Sequence, residues 1–110
     1  MANTFKNAAL SNANHAAYST LYTAPSSTTT VVLGLAIANK TTQAVTVQVQ
    51  FSDSSGSTTH QLLENVSIPS NTTLETLAGQ KYILETGDIL KVKSGTASAL
   101  DVVLGIMEIS

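Results

Sequence analysis

Thr30-Val31-Val32-Leu33-Gly34-Leu35-Ala36-Ile37-Ala38-Asn39 and Leu100-Asp101-Val102-Val103-Leu104-Gly105-Ile106-Met107-Glu108-Ile109 share a Val-Val-Leu-Gly core followed by an aliphatic residue. Neither stretch holds Pro or Lys, and both are dense in β-branched side chains. Runs of this kind suit central strands buried on both faces or nearly so. The two are expected to lie close together in one core. Each Gly then marks a place where neighbouring backbone or a bulky side chain approaches. Leu33, Leu35, Ile37, Val102, Leu104 and Ile106 should be buried.

Working outward, the clearest alternation is Val45-Thr46-Val47-Gln48-Val49-Gln50-Phe51, with the apolar residues on one face and Thr and Gln on the other. That is a strand with one wet face. The polar turn Asn39-Lys40-Thr41-Thr42 precedes it, so residues 31–51 are expected to form an antiparallel hairpin. His60 to Ile68 reads as another strand. Glu64 interrupts its apolar face, and a bulge at Glu64-Asn65 would turn Leu63 inward. Thr73 to Leu77 is short and admits a single helical turn. Ala78-Gly79-Gln80 turns the chain, and Tyr82-Ile83-Leu84 is a brief apolar run. Gly87 in Glu85-Thr86-Gly87-Asp88 is the expected positive-φ residue of a tight turn. Ile89 to Lys93 is a strand with Lys91 and Lys93 toward solvent, where they would guard an edge if the strand lies at one.

Seven or eight short strands at intervals of about 8–12 residues, with no helical stripe and no crossover helix, predict an all-β antiparallel sandwich, jelly-roll or Ig-like. The 110 residues fit one domain. Residues 1–14, rich in Asn, Ala and Ser, read as an N-terminal arm or a short irregular strand. Residues 15–110 read as the sandwich domain. The arm carries two large apolar side chains, Phe5 and Leu10. Its expected role is to dock on a neighbouring subunit, so its deletion should weaken assembly and leave the domain folded.

Composition narrows the function. There is no Cys, hence no disulfide scaffold, thiolate metal site or Cys nucleophile. The net charge is -2, and the five basic residues are scattered lysines without an Arg, which argues against nucleic-acid binding. Charged residues make up 11%, against about a quarter in ordinary domains, so Ser, Thr, Asn and Gln must keep the chain soluble. Such a weakly self-repelling surface suits a crowded assembly or a hydroxyl-rich surface domain. The first residues lack an apolar signal region, and no run approaches the ~18 apolar residues of a membrane span.

Catalytic patterns are missing. His15 and His60 have no carboxylate or second His at ligand spacing. No Ser lies in Gly-x-Ser-x-Gly or Ser-x-x-Lys. Asp53-Ser54-Ser55-Gly56 begins like a calcium loop but lacks the later oxygen ligands, so it reads as a turn. No cofactor is expected, and the chain reads as a non-enzyme. Asp101 and Glu108 sit on the second core stretch. They are expected either near solvent at strand ends or in inter-strand or intersubunit contacts with Lys81, Lys91 or Lys93.

Four segments in order, Tyr22 to Asn39, Asn65-Val66-Ser67-Ile68-Pro69, Leu84 to Val92 and Leu100 to Ile109, resemble small virion structural proteins of tailed phages, particularly those of marine cyanophages. The resemblance covers nearly all of the chain after residue 18. It implies an accessory part of the particle: capsid decoration or cement, or a neck or tail subunit. It implies other virion proteins as partners, self-association as a trimer or ring, and assembly in the host cytoplasm. No catalytic residues come with it. The candidate interaction residues are Phe5, Leu10, Tyr18, Tyr22, Asp53 and Ser54. The loops 52–59 and 94–99 are the ones expected to make contacts. A competing reading is a fibre-type module that binds host-surface glycan, with Tyr18, Tyr22 and Tyr82 as stacking faces.

Overall fold

In the computed structural model, which describes residues 3–54, 56–75 and 82–110, the two echoing stretches are antiparallel neighbours, with Gly34 directly opposite Gly105. Among the described residues there are nine strands and no helix: β1 (Asn3–Leu10), β2 (Ser19–Thr23), β3 (Thr29–Asn39), β4 (Val45–Asp53), β5 (Thr58–Ile68), β6 (Thr73–Glu75), β7 (Tyr82–Leu84), β8 (Ile89–Ser94) and β9 (Leu100–Ile109). They form an antiparallel β-sandwich. One sheet runs β1-β9-β3-β6, with β7 also on β3; the other runs β2-β8-β4-β5. This order is that of a jelly roll. The place beside β3 is shared by two short strands, β6 at Ala36–Ala38 and β7 at Thr30–Val32.

Period-two alternation puts one apolar set from each sheet between the layers. Val32, Leu35, Ile37, Val102, Leu104 and Ile106 face Val45, Val47, Val49, Leu90 and Val92 as a single buried cluster. Five of the six residues expected to be buried are so, and Leu33 is not. It is the extra residue where the β3–β9 register shifts between Val32 and Gly34, and the bulge leaves it exposed. Burial on both faces does not hold either, because no layer covers the outer side of this sheet among the described residues.

The expected hairpin over residues 31–51 is absent. β3 and β4 lie in opposite sheets, and the connection crosses between the layers. Asn39 holds that crossing. Its buried amide donates to the carbonyl oxygens of Gln43 (2.9 Å), Ile68 (2.9 Å) and Pro69 (3.2 Å). Its Oδ1 accepts from the Thr41 N–H (2.9 Å) and hydroxyl (2.8 Å). A polar turn signal marks a reversal of the chain; it does not say whether the strands on either side share a sheet. The hairpin in this region is instead β4–β5.

The bulge at Glu64-Asn65 is present. The register passes from Val47–Val66 to Val49–Leu63, Asn65 takes φ 51°, and Leu63 stands opposite the buried Val49. Gly87 has the expected positive φ, at 88°. β8 lies inside its sheet between β2 and β4, so Lys91 and Lys93 guard no edge. The short segment from Thr73 is strand through Glu75. The possible helical turn beyond it, the Ala78-Gly79-Gln80 turn and Lys81 lie outside the described residues. Of the 1–14 segment, residues 3–10 pair with β9 from Asn3–Ile109 to Leu10–Val102. Ala13 then donates its N–H to the carbonyl of Leu100 (2.8 Å).

Candidate functional site

The outer faces of the two sheets differ in chemistry. On the first sheet, the residues opposite one another fall into rows that cross the strands. Phe5, Met107, Val31 and Ile83 make one row. Asn7, Gly105 and Gly34 make the next, and Ala9, Val103 and Ala36 a third. Among the described residues the exposed large apolar side chains are Phe5 (72% exposed), Ile83 (53%), Val103 (47%) and Leu33 (40%), and all four belong to this sheet. The two glycines lie low between the Phe5-Met107-Val31-Ile83 row on one side and Val103 on the other, which makes a trough. A space of about 180 Å³ lies over its β1–β9 part, bordered by Phe5, Lys6, Asn7, Leu33, Gly105 and Ile106. A β-carbon placed on Gly34 would meet nothing within 4 Å, and one on Gly105 only Asn7 Oδ1 at 3.7 Å. Thus the glycines are not required by crowding inside the subunit.

The second sheet carries a polar network. The Tyr18 hydroxyl donates to Gln48 Oε1 (2.6 Å) and accepts from Gln61 Nε2 (3.2 Å). Gln48 Nε2 donates to Asn65 Oδ1 (2.7 Å), and Gln61 Nε2 also reaches Glu64 Oε1 (2.7 Å). The Lys93 ammonium sits 5.9 Å from the centre of the Tyr18 ring, within cation–π range. A shallow groove of about 190 Å³ opens between His15, Gln48, Asn65 and Lys93. These groups satisfy one another, which is how a sheet stays wet with few charges.

Glu108 lies buried at the edge of the sandwich, where β1 meets β2. The Tyr22 hydroxyl, reaching over from the second sheet, donates to Glu108 Oε2 (2.6 Å) and accepts from Thr30 Oγ1 (2.8 Å). Lys6 Nζ lies 3.1 Å from Glu108 Oε1. The Tyr22 hydrogen bond, then that of Lys6, holds the Glu108 carboxyl below the usual carboxylate range. Burial, then the bond to Glu108, pushes the Tyr22 phenol up to about 12. Asp101 pairs with Lys40 (2.9 Å) and accepts the Asn12 N–H (3.0 Å). Lys40 also donates to Asn12 Oδ1 (2.5 Å). The Asp101 carboxyl is lowered by Lys40 first and the Asn12 N–H second. Both carboxylates therefore make inter-strand contacts, with lysines other than the three expected.

The candidate interaction residues are dispersed. Phe5 projects from the apolar face, and Tyr18 lies half-buried in the polar network on the opposite one. Leu10 packs against the core opposite Val102. A register shift at Leu21 turns Tyr22 inward, away from the face of Tyr18. Tyr82 is half-buried, packed against the core. The three tyrosines therefore do not form one stacking platform. Ser54 is pinned to the β7–β8 turn, donating its N–H to Asp88 Oδ1 (3.0 Å) and its hydroxyl to the Thr86 carbonyl (3.1 Å). Asp53 Oδ1 accepts the Gly56 N–H (3.4 Å) in the same loop. Among the described residues no three His, Asp or Glu groups converge as metal ligands. Sequence reasoning missed Leu33, Ile83, Val103 and Met107 as surface residues, because a strand apolar on both faces reads as buried on both.

No protein-family model matches the chain, and no curated protein matches it. Among solved structures it is similar to a protein of Bacillus endospore appendages, described as a novel family of disulfide-linked pili. The identity is 15% and the TM-score 0.51, over 96% of this chain and 85% of that one. At that identity the likeness concerns the fold. A pentameric capsid protein isolated from metagenomic phage sequences aligns at 21% identity with a TM-score of 0.40. The alignment covers 94% of this chain, which spans 60% of the length of that protein. It is too distant to carry an argument.

Proposed function

We propose that this chain is a non-enzymatic structural component of a tailed-phage virion, a capsid decoration subunit that binds the major capsid protein and copies of itself. The observation that carries the structural role is the apolar outer face of the first sheet. Exposed apolar patches of this extent on a small domain mark sites of protein association. The virion setting rests on the four ordered segments that resemble small phage virion proteins. Phe5, on the 1–14 arm, contacts a neighbour while β1 stays paired in its own sheet. The loops at the sandwich ends and the polar second sheet are left to meet the capsid. A neck or tail position is the alternative within the same particle.

The test is direct. Particles purified from producing cells are probed for this chain by mass spectrometry and located by a map with a labelled copy. Regular density on the capsid is the expected result. Density at the neck or tail moves the subunit to that position. Absence from purified particles overturns the virion reading.

A further inference from the structure

We infer that two copies of this chain dock face to face through the outer surfaces of their first sheets, the Phe5-Met107-Val31-Ile83 ridge of each seated in the Asn7-Gly105-Gly34 trough of the other. The inference rests on the self-association in the proposed function and is independent of where assembly takes place. Ridge and trough lie on the same face and open in the same direction, so one face meets both features only in a second face turned toward it. Adjacent rows on one side of a strand are two residues, or about 6.8 Å, apart. A two-fold axis lying in the interface, midway between the two rows and parallel to them, places each ridge over the opposite trough. That contact is isologous and closes on itself as a dimer. The groove along the β1–β9 part of the trough, about 180 Å³ and open to solvent, leaves room for side chains of a second copy.

Size and charge agree. Four strands spaced ~4.8 Å apart and about eight residues long at ~3.4 Å each present roughly 500 Å². Two such faces bury about 1,000 Å², the lower bound for a specific interface. Among the described residues, the charged ones whose register points outward are Glu75, at the end of the row beside the trough, and Asp101, which is neutralised by Lys40. Lys6 extends to Glu108 instead. Two copies therefore approach without like-charge repulsion. The trough also accounts for glycines that no crowding within the subunit demands.

Sedimentation velocity on the full chain from about 1 to 200 μM, with the Gly34→Val and Gly105→Val variants alongside, tests this. Neither glycine has positive φ, so Val there fills the trough and leaves the monomer folded. The wild type should sediment as a dimer at the upper concentrations. Each Val variant should weaken dimerisation at least 10-fold with an unchanged or raised Tm, and Phe5→Glu should act likewise. A wild type that is monomeric throughout, or Val variants that dimerise as tightly as wild type, overturns the inference. A monomer that is nonetheless found in purified particles sinks this dimer alone; a dimer that is absent from particles sinks only the virion reading.

Discussion

Replacing Tyr22 with Phe keeps the ring and removes one oxygen, the one that joins the second sheet to Glu108 and Thr30 in the first. At neutral pH the loss is that of a hydrogen bond to a charged acceptor, about 1.5–3 kcal/mol. The pH dependence is more diagnostic. The phenol, ordinarily near 10, is raised to about 12 in the folded chain, by burial first and Glu108 second. Between those values the unfolded chain has lost a proton that the folded chain retains. The stabilisation is thus complete below pH 10 and disappears as pH rises through about 12. Two pKa units correspond to ~2.7 kcal/mol. Tyr22 is only partly buried, and solvent screening reduces this to about 1–1.5 kcal/mol. Urea unfolding of wild type and Tyr22→Phe at pH 7, 9, 10, 11 and 12 isolates the effect, since the two proteins differ in this one hydroxyl. The stability gap between them should be constant to pH 9 and narrow by about 1 kcal/mol by pH 12. A gap that stays flat, or widens, refutes the clasp.

On the acid side, the Asp101 carboxyl is held low by Lys40, so its contribution is present above the ordinary carboxylate range and lost as pH falls through the folded value. Asp101→Asn should cost under about 1 kcal/mol at pH 7 and progressively less as pH falls below the ordinary carboxylate range, measured by chemical denaturation. Gly95→Ala should destabilise by about 1–2 kcal/mol in thermal unfolding, because the new methyl meets Thr46 Oγ1 and lies 3.2 Å from the Thr46 carbonyl oxygen. Asn39→Ala leaves the Gln43, Ile68 and Pro69 carbonyls without their donor, for a loss of about 2–3 kcal/mol in urea unfolding. In β9, Leu104→Ala should cost about 2–5 kcal/mol and its neighbour Val103→Ala under about 1, a contrast that tests which side of the strand faces the core.

The sandwich was legible because hydrophobic alternation and turn residues report local geometry. Val45 to Phe51 and the Glu64-Asn65 bulge could be placed from their own side chains. Which strands pair was legible only where the chain repeated itself, in the Val-Val-Leu-Gly echo. The 31–51 hairpin failed because Asn39-Lys40-Thr41-Thr42 is a good turn in either geometry. What decides between them is the reach of the Asn39 amide to Ile68 and Pro69, a contact set by tertiary packing. The apolar outer face was hidden for a related reason. Leu33 and Val103 look like core residues because composition records hydrophobicity and not the presence of a second layer. Phe5 was legible as an exposed side chain because it stands in a polar segment, where an aromatic ring has no core to enter. Tyr22 was taken for a surface residue because the one-residue shift at Leu21 has no signature in sequence.

Of the nine described strands β9 comes latest in sequence, yet it lies between β1 and β3 and provides the partner for all eight residues of β1. During synthesis the first strand therefore waits for the last, and the apolar Thr29–Asn39 stretch has its longest edge unpaired until Ile109 has left the ribosome. Such long-range pairing is slow and exposes sticky edges on the way. Expression yield should accordingly depend more on chaperone supply and translation temperature than on the stability of the finished sandwich.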